Sequence, residues 1–319
     1  VTTLITGGAG FIGAALAERL LTTTTDPVLI LDNFDSYYDP AIKRARAAAL
    51  SAAYGHRVRI VEGDITDAPL VARLLADHGV RRIAHLAGLA GVRYSVDHGP
   101  LYSHVNTTGS VTLMEAARRQ GVAVFIQAST SSVYGQAQRV PFQEDDAPDQ
   151  PLAPYPASKR AAEIFGHSYY NLFGLNVTVL RFFNVYGPNG RPDMMPLRAL
   201  HAILHGEPIP YYDGGRLRRD WTYIDDTVSG IAAALERPLG YAIINLGCGA
   251  PVALADFIAI YEELLGKRAV LVDQPAPPSE PLITYCDNRR ARDLLGFAPT
   301  VDLRTGLSRV LDWYRAQGR

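Results

Sequence analysis

The sequence predicts an α/β chain, a doubly wound parallel sheet followed by a smaller C-terminal α/β lobe. Three observations carry that expectation. Leu4-Ile5-Thr6 runs directly into Gly7-Gly8-Ala9-Gly10-Phe11-Ile12-Gly13, and a helix-forming stretch from Ala14 to Leu21 follows. Short strand-like runs then alternate with helix-forming stretches, as a parallel sheet with crossover helices requires. Beyond Asn184, proline, glycine and aromatic residues become frequent up to Tyr212, the composition of loops in a second lobe.

The first turn reads as strand, Gly-x-x-Gly-x-x-Gly, helix. Its glycines let the chain turn tightly, approach a pyrophosphate and pack the helix on the sheet, while the helix N-terminus offers amides to phosphates. An ordinary glycine-rich turn is the bland alternative. Val28-Leu-Ile-Leu31 is the next buried strand and ends at Asp32. A carboxylate there binds a ribose diol and repels a 2′-phosphate, which favours NAD over NADP; otherwise it merely ends a strand. Val58-Arg-Ile-Val61 leads to Gly63-Asp64-Ile65, and Arg82-Ile-Ala-His-Leu86 leads to Ala87-Gly88. These strand ends are where adenine and pyrophosphate would lie. Val124-Phe-Ile-Gln127 is a further strand, running into the hydroxyl-rich Ala128-Ser-Thr-Ser-Ser-Val-Tyr134.

Tyr155-Pro-Ala-Ser-Lys159 places a phenol and an ammonium four residues apart, one helical turn if the segment is a helix. A nearby cation stabilises phenolate, so such a pair suits removal of a proton from an alcohol near neutral pH. Val177-Thr-Val-Leu-Arg-Phe-Phe183 reads as another strand. Arg218-Arg219-Asp220 lies in a mixed loop, where arginines clamp a diphosphate through bidentate contacts or simply face solvent. Leu307, Val310, Leu311 and Tyr314 mark the inward face of an amphipathic C-terminal helix that serves packing.

The 319 residues are 48% hydrophobic and 20% charged, enough for a large core and two lobes. A formal net charge of -1 and the lack of a long basic run argue against broad attraction to nucleic acid. Cys248 and Cys286 are too few for a disulfide scaffold and read as thiols in a reducing compartment. The eight histidines are scattered, and no metal site is indicated. No apolar run reaches the roughly 18 residues of a membrane helix, and the strand-like start is unlike a signal peptide. A soluble, cytoplasmic protein is expected.

The glycine fingerprint, Asp32, the hydroxyl-rich strand end and Tyr155/Lys159 together resemble the extended short-chain dehydrogenase/reductase family, along essentially the whole chain. The resemblance implies a Rossmann domain over residues 1–180, with segments around 220–245 returning to it. Residues 181–319 then form mainly a nucleotide-sugar lobe. It implies NAD held by Gly7, Gly10, Phe11, Ile12, Gly13, Asp32, Asn33, Lys43, Asp64, Ile65, Leu86 and Ala87, with Tyr155 and Lys159. Thr130 matches the hydroxyl that assists the tyrosine, and Ser132 one that also touches the sugar; each could instead cap a turn.

Leu180-Arg-Phe-Phe-Asn-Val-Tyr-Gly-Pro188, Arg219-Asp-Trp-Thr-Tyr-Ile-Asp-Asp226 and Ile244-Asn-Leu-Gly247 are similar to segments of nucleotide-sugar epimerases. By that likeness Asn184 and Arg219 hold the diphosphate of UDP, and Tyr212 stacks near the uracil. Asp32-Asn-Phe-Asp-Ser-Tyr-Tyr-Asp39, Ala90-Gly-Val-Arg-Tyr-Ser95 and Gly187-Pro-Asn-Gly-Arg-Pro-Asp-Met194 most resemble UDP-glucuronate 4-epimerases. Arg191 is then the expected partner of the sugar carboxylate, with Arg93 in the same pocket or at the phosphates. The chain departs from that pattern at Asn184, where threonine is common. It departs again at Pro277-Pro-Ser-Glu280-Pro, where Glu280 stands in for an aspartate. Dehydratases and decarboxylases of related build carry acids after the strand-end threonine, whereas this chain has Thr130-Ser131-Ser132. Inversion of C4 of UDP-glucuronate through a 4-keto sugar, without loss of CO2, is the implied activity. A neutral UDP-sugar 4-epimerase, a decarboxylase and a non-catalytic NAD scaffold are the alternatives. The resemblance also implies a homodimer, through the helices around Val105 to Arg118 and Ala157 to Phe173.

Overall fold

The computed structural model describes residues 1–136, 139–146, 149–278 and 280–318. Buried, β-branched runs with little polar alternation belong in a parallel sheet covered on both faces, and they assemble here into seven strands. In chain order the first half contains β1 (Thr2–Thr6), α1 (Phe11–Thr23), β2 (Val28–Asp32), α2 (Pro40–Tyr54), β3 (Val58–Glu62), α3 (Ala68–Asp77) and β4 (Val80–His85). It continues through short helices α4 (Val92–Ser95) and α5 (Gly99–Tyr102), a π-helical turn Ser103–Thr108, α6 (Gly109–Gln120), β5 (Val124–Thr130), α7 (Pro154–Phe173) and β6 (Val177–Phe182). β7 (Val185–Tyr186), α8 (Met195–His205), β8 (Pro208–Tyr212), β9 (Arg218–Asp220) and β10 (Thr222–Tyr223) belong to the second lobe. The chain then returns with α9 (Ile224–Leu235) and β11 (Tyr241–Leu246). Finally come β12 (Pro251–Ala253), α10 (Leu254–Leu265), β13 (Val270–Gln274), β14 (Ile283–Thr284), α11 (Arg289–Leu295) and α12 (Leu303–Ala316).

The large sheet has the order β11-β6-β5-β4-β1-β2-β3, with every pairing parallel. Ile5 faces Ile30 on one side and Ala84 on the other, which fixes β1 between β2 and β4. Strand order reverses between β1 and β4, so the ligand crevice is expected at their C-terminal ends. Three small sheets, β10-β7, β12-β9-β14 and β13-β8, build the second lobe above that crevice.

Side-chain caps define where helices begin. Asp39 accepts from Ala41 N at 2.9 Å to start α2, and Asp67 accepts from Leu70 N at 3.0 Å to start α3. The return segment is pinned by two carboxylates. Asp226 accepts from the amides of Thr300 and Val301, and fully buried Asp220 accepts from Cys248 N and Gly249 N, both at 2.9 Å. Burial raises the Asp220 carboxyl, and those amides partly offset the shift. Leu307, Val310, Leu311 and Tyr314 of α12 are buried, the inward face their spacing predicts. Among the described residues, no helix is long and apolar enough to cross a membrane.

Beneath the crevice, His85 is enclosed between Thr6 Oγ1 (2.8 Å) and Ser110 Oγ (2.9 Å). Burial lowers it from 6.5 to about 3, helped by the charge of Lys159, so its ring stays neutral. An unfolded chain takes that proton first, so stability is full above pH 6.5 and is lost as pH falls toward about 3. Replacing His85 by glutamine is expected to flatten this acid slope in pH-dependent urea unfolding. An unchanged slope would place the acid sensitivity elsewhere.

Candidate active site

The glycine turn leaves no room for side chains. Gly7 has φ 68°, and its amide bonds Leu31 O at 2.8 Å, tying β1 to β2 where the turn begins. A Cβ on Gly13 would lie 2.2 Å from Gly7 O, so α1 can pack this close only with glycine there. Gly10 caps α1 without a side-chain bond, which keeps the first amides clear beside the cleft. The Asp32 carboxylate is fixed at the end of β2. It accepts from Ala9 N at 3.0 Å and Phe34 N at 2.9 Å, with lone pairs remaining for a ribose. Asn33 donates to Asp64 at 2.9 Å. Burial works to raise the Asp64 carboxyl, but hydrogen bonds from Thr66 and Asn33 hold it below its usual range. Lys43 donates to Asp35 O at 2.7 Å and sits 4.6 Å from the Tyr38 ring; burial lowers its pKa. A cradle that a Cβ would fill, beside a fixed carboxylate, fits a dinucleotide.

Helix α7 begins with proline in its first turn, and Tyr155 and Lys159 follow one turn apart. Lys159 is buried and donates to Ala128 O at 3.1 Å. Burial lowers it to about 8 against the opposing charge of Glu163. Burial also raises the Tyr155 phenol above 10; its hydrogen bond with Thr130 and the charge of Arg191 partly offset this. The spacing suggested lysine as the cation supporting the phenolate. In the folded chain the ammonium donates to a strand-end carbonyl, and the charge of Arg191 also works to lower the phenol. Thr130 ends β5 and caps the following turn, accepting from Ser132 N at 3.1 Å.

Three arginines of the cleft meet acids, and one pair, Arg93–Glu280, joins the two lobes. Arg191 forms a two-point pair with Asp193. Arg219 donates to Glu280 at 2.8 Å and to Pro281 O at 2.9 Å, while Arg93 reaches the other oxygen of Glu280 at 3.2 Å. Arg93 also lies 5.1 Å from the Tyr212 ring. Ser132 and Asn184 line the same space, and Thr284 follows from β14. Arg218 is exposed instead, and Asp287 pairs with Arg289. Ser279, within the proline-rich signature, lies outside the described residues.

Every residue selected from the sequence as catalytic, cofactor-binding or substrate-binding borders one cleft of about 1260 Å³. That exceeds the volume of about 300–1,000 Å³ usual for a single small ligand and leaves room for two. Sequence reasoning missed Asn106, whose amide bonds Leu89 N and O at 2.8 and 3.0 Å and Ser158 Oγ at 3.0 Å. It joins the β4 strand-end loop to α7 from inside the π-helical turn. Only a polar residue on an otherwise packed helix face could have signalled it. Tyr37 and Asp193 were also missed as individual residues, though both lie in quoted segments.

The family model described as NAD dependent epimerase/dehydratase matches residues 3–247. UDP-glucuronate 4-epimerase 1 of Arabidopsis thaliana is 40% identical over 335 residues, covering 98% of this chain and 76% of the relative. UDP-glucuronate 4-epimerase of Thermodesulfobacterium geofontis is 38% identical over 311 residues, 97% of this chain and 95% of the relative. The crystal structure of UDP-glucuronic acid 4-epimerase from Bacillus cereus, in complex with UDP-glucuronic acid and NAD, superposes with TM-score 0.93. It is 34% identical, with 99% of this chain and 100% of that one covered. A seven-stranded sheet with its glycine turn at the switch point, matched from β1 to the end of β11, makes this chain a member of the NAD dependent epimerase/dehydratase family.

Proposed function

We propose that this protein inverts C4 of UDP-glucuronate to give UDP-galacturonate, with bound NAD and through a transient 4-keto sugar. The observation that carries the reading is Arg191. Its guanidinium is held by Asp193 on the wall of the cleft that Tyr155 also lines, where a hexuronate carboxylate would need a cation. The named epimerase relatives and the Bacillus cereus complex support the same substrate. In this reading residues 1–180, with the returning segment around 220–245, hold the dinucleotide, and residues 181–319 mainly hold the nucleotide sugar.

Tyr155 takes the proton of the C4 hydroxyl, and Thr130 holds the same oxygen by hydrogen bonding. Because burial keeps the phenol above 10, the protein alone leaves it protonated near neutral pH. The positive charge that a bound nicotinamide would add to those of Lys159 and Arg191 would bring phenolate within reach. The glycine turn, Asp32 and the strand ends at Asp64 and Leu86 would hold NAD, which would supply hydride transfer from C4 and back to it. Arg219, Asn184 and Tyr212 anchor UDP while the keto sugar turns its other face, and Tyr155 then returns the proton. Oxidation at C4 makes a β-keto acid, which loses CO2 when the C5–carboxylate bond aligns with the carbonyl π system. Arg191, Thr130 and Ser132 hold that bond near the ketone plane, so control is by orientation.

A second reading, a neutral UDP-sugar 4-epimerase, is favoured by one observation: Asp193 already pairs Arg191 without a substrate carboxylate. Purified protein with NAD is expected to show kcat/KM at least about tenfold higher for UDP-glucuronate than for UDP-glucose, the worth of one charge-assisted contact. Turnover of UDP-glucose alone would make the neutral-sugar reading correct. A cytoplasmic homodimer belongs to the proposal, with small-molecule ligands and neither nucleic acid nor membrane as partner. Phe165, Leu172 and Phe173 stand exposed on α7, and α6 lies beside them as the shared face.

A further inference from the structure

Arg191 offers five N–H donors in a planar fork. Nε donates to Oδ1 of Asp193 at 2.9 Å and Nη2 to Oδ2 at 2.5 Å, so the acid occupies one edge only. Among the described residues, Asp193 is the sole ion-pair partner of this guanidinium, and the edge through Nη1 is left over. Burial works against the charge on Arg191, but the hydrogen bonds and charge of Asp193 more than offset it. The Tyr37 ring lies 5.3 Å from the guanidinium, and its hydroxyl reaches Asp193 Oδ2 at 3.4 Å. Arg46 of α2 donates to the carbonyls of Asn189 and Gly190, which ties the loop before Arg191 to the dinucleotide lobe. The fork is therefore held from one edge, from one face and through its own backbone.

A free arginine side chain would follow a carboxylate through many orientations. One anchored along Nε and Nη2 can present only its remaining edge. A hexuronate oxidised at C4 needs this restriction, because rotation about the C5–carboxylate bond does not matter but tilting that bond out of the ketone plane releases CO2. We propose that Asp193 is the specificity-determining positioning residue of the site: it fixes Arg191 so that the open edge meets the sugar carboxylate and holds the C5–C6 bond in the ketone plane. This rests on Arg191 being the carboxylate partner. Asp193 takes no proton and touches no reacting atom; it acts through the guanidinium.

The test compares Asp193→Asn, Asp193→Glu and Arg191→Gln. Asparagine keeps the shape but replaces one acceptor oxygen by a donor, which breaks the two-point pair. With UDP-glucuronate and NAD, Asp193→Asn is expected to raise KM about tenfold, the scale of a charge-assisted contact. Pentose-bearing nucleotide should appear among its products. Affinity for UDP alone, measured by calorimetry, is expected to stay within about twofold, since the anchor of the nucleotide lies elsewhere. Asp193→Glu should recover part of the KM and suppress the pentose. Two results would overturn the proposal: an unchanged or lower KM in Asp193→Asn with no pentose, as for an acid that substrate displaces, or a loss of UDP affinity equal to the loss for UDP-glucuronate. If Arg191→Gln leaves UDP-glucuronate turnover and products intact, the underlying assignment of Arg191 fails first. If Arg191→Gln disturbs them and Asp193→Asn does not, only the role of Asp193 falls.

Discussion

Replacing Tyr155 by phenylalanine is expected to lower kcat by about 10²–10⁴-fold, the usual contribution of a positioned proton-transfer group. The ring would keep its edge-on contact with Tyr102, whose centroid lies 6.0 Å away, so the cleft should hold its shape. Affinity for UDP should change little, because the residues proposed to hold the diphosphate and uracil lie in the second lobe. A buried phenol raised above 10 has a further consequence. Turnover should rise with pH toward the point where phenolate forms in the loaded site, and Tyr155→Phe should lose that limb. A variant that retains more than about a tenth of wild-type kcat, outside the range expected of a general base, would remove Tyr155 from the proton transfer.

Arg181→Met is expected to destabilise the fold by about 3–5 kcal/mol, the cost of stranding one partner of a buried ion pair. Arg181 and Glu163 are both fully buried and meet at 3.0 and 2.7 Å. Ser129 donates to the same carboxylate, Arg160 reaches it at 3.1 Å, and the Tyr134 ring lies 4.7 Å from the Arg181 guanidinium. Glu163 stands one turn beyond Lys159 on α7, so this pair clamps the catalytic helix to β5 and β6 behind the reacting groups. The double replacement Arg181→Met/Glu163→Leu should recover much of the loss, since neither charge is then stranded. Urea unfolding of the single and double variants checks this. Equal losses in both would mean that packing, rather than the uncompensated charge, dominates.

The parts of the site built from local sequence were legible. Gly7 to Gly13, Asp32 and the Tyr155–Lys159 spacing each encode their geometry within a few residues, because a turn, a strand end and one helical turn are short-range objects. The packing face of α12 was legible for the same reason, since its period shows in the chain itself. What the sequence did not show depends on elements far apart in the chain. Glu280 meets Arg93 and Arg219 only because β14 lies beside β9 and the cleft brings α4 to them. Asn106 joins a loop to a helix 52 residues on, from a π-helical turn that breaks the 3.6-residue period used to read helices. The contact made by Lys159 was hidden for a related reason. Spacing puts the ammonium on the same face as Tyr155 but cannot show that Ala128 O takes its hydrogen bond. The return of α9 and β11 to the large sheet was anticipated only through family likeness.

The central claim is that C4 of a hexuronate is oxidised and reduced within one cleft while the carboxylate is kept. It is tested most directly with UDP-glucuronate deuterated at C4, followed by proton NMR and mass spectrometry in the presence of NAD. UDP-galacturonate that retains deuterium at C4, with no pentose nucleotide, is the predicted result. Loss of the label to solvent, a pentose nucleotide as the main product, or no conversion of the hexuronate would contradict it.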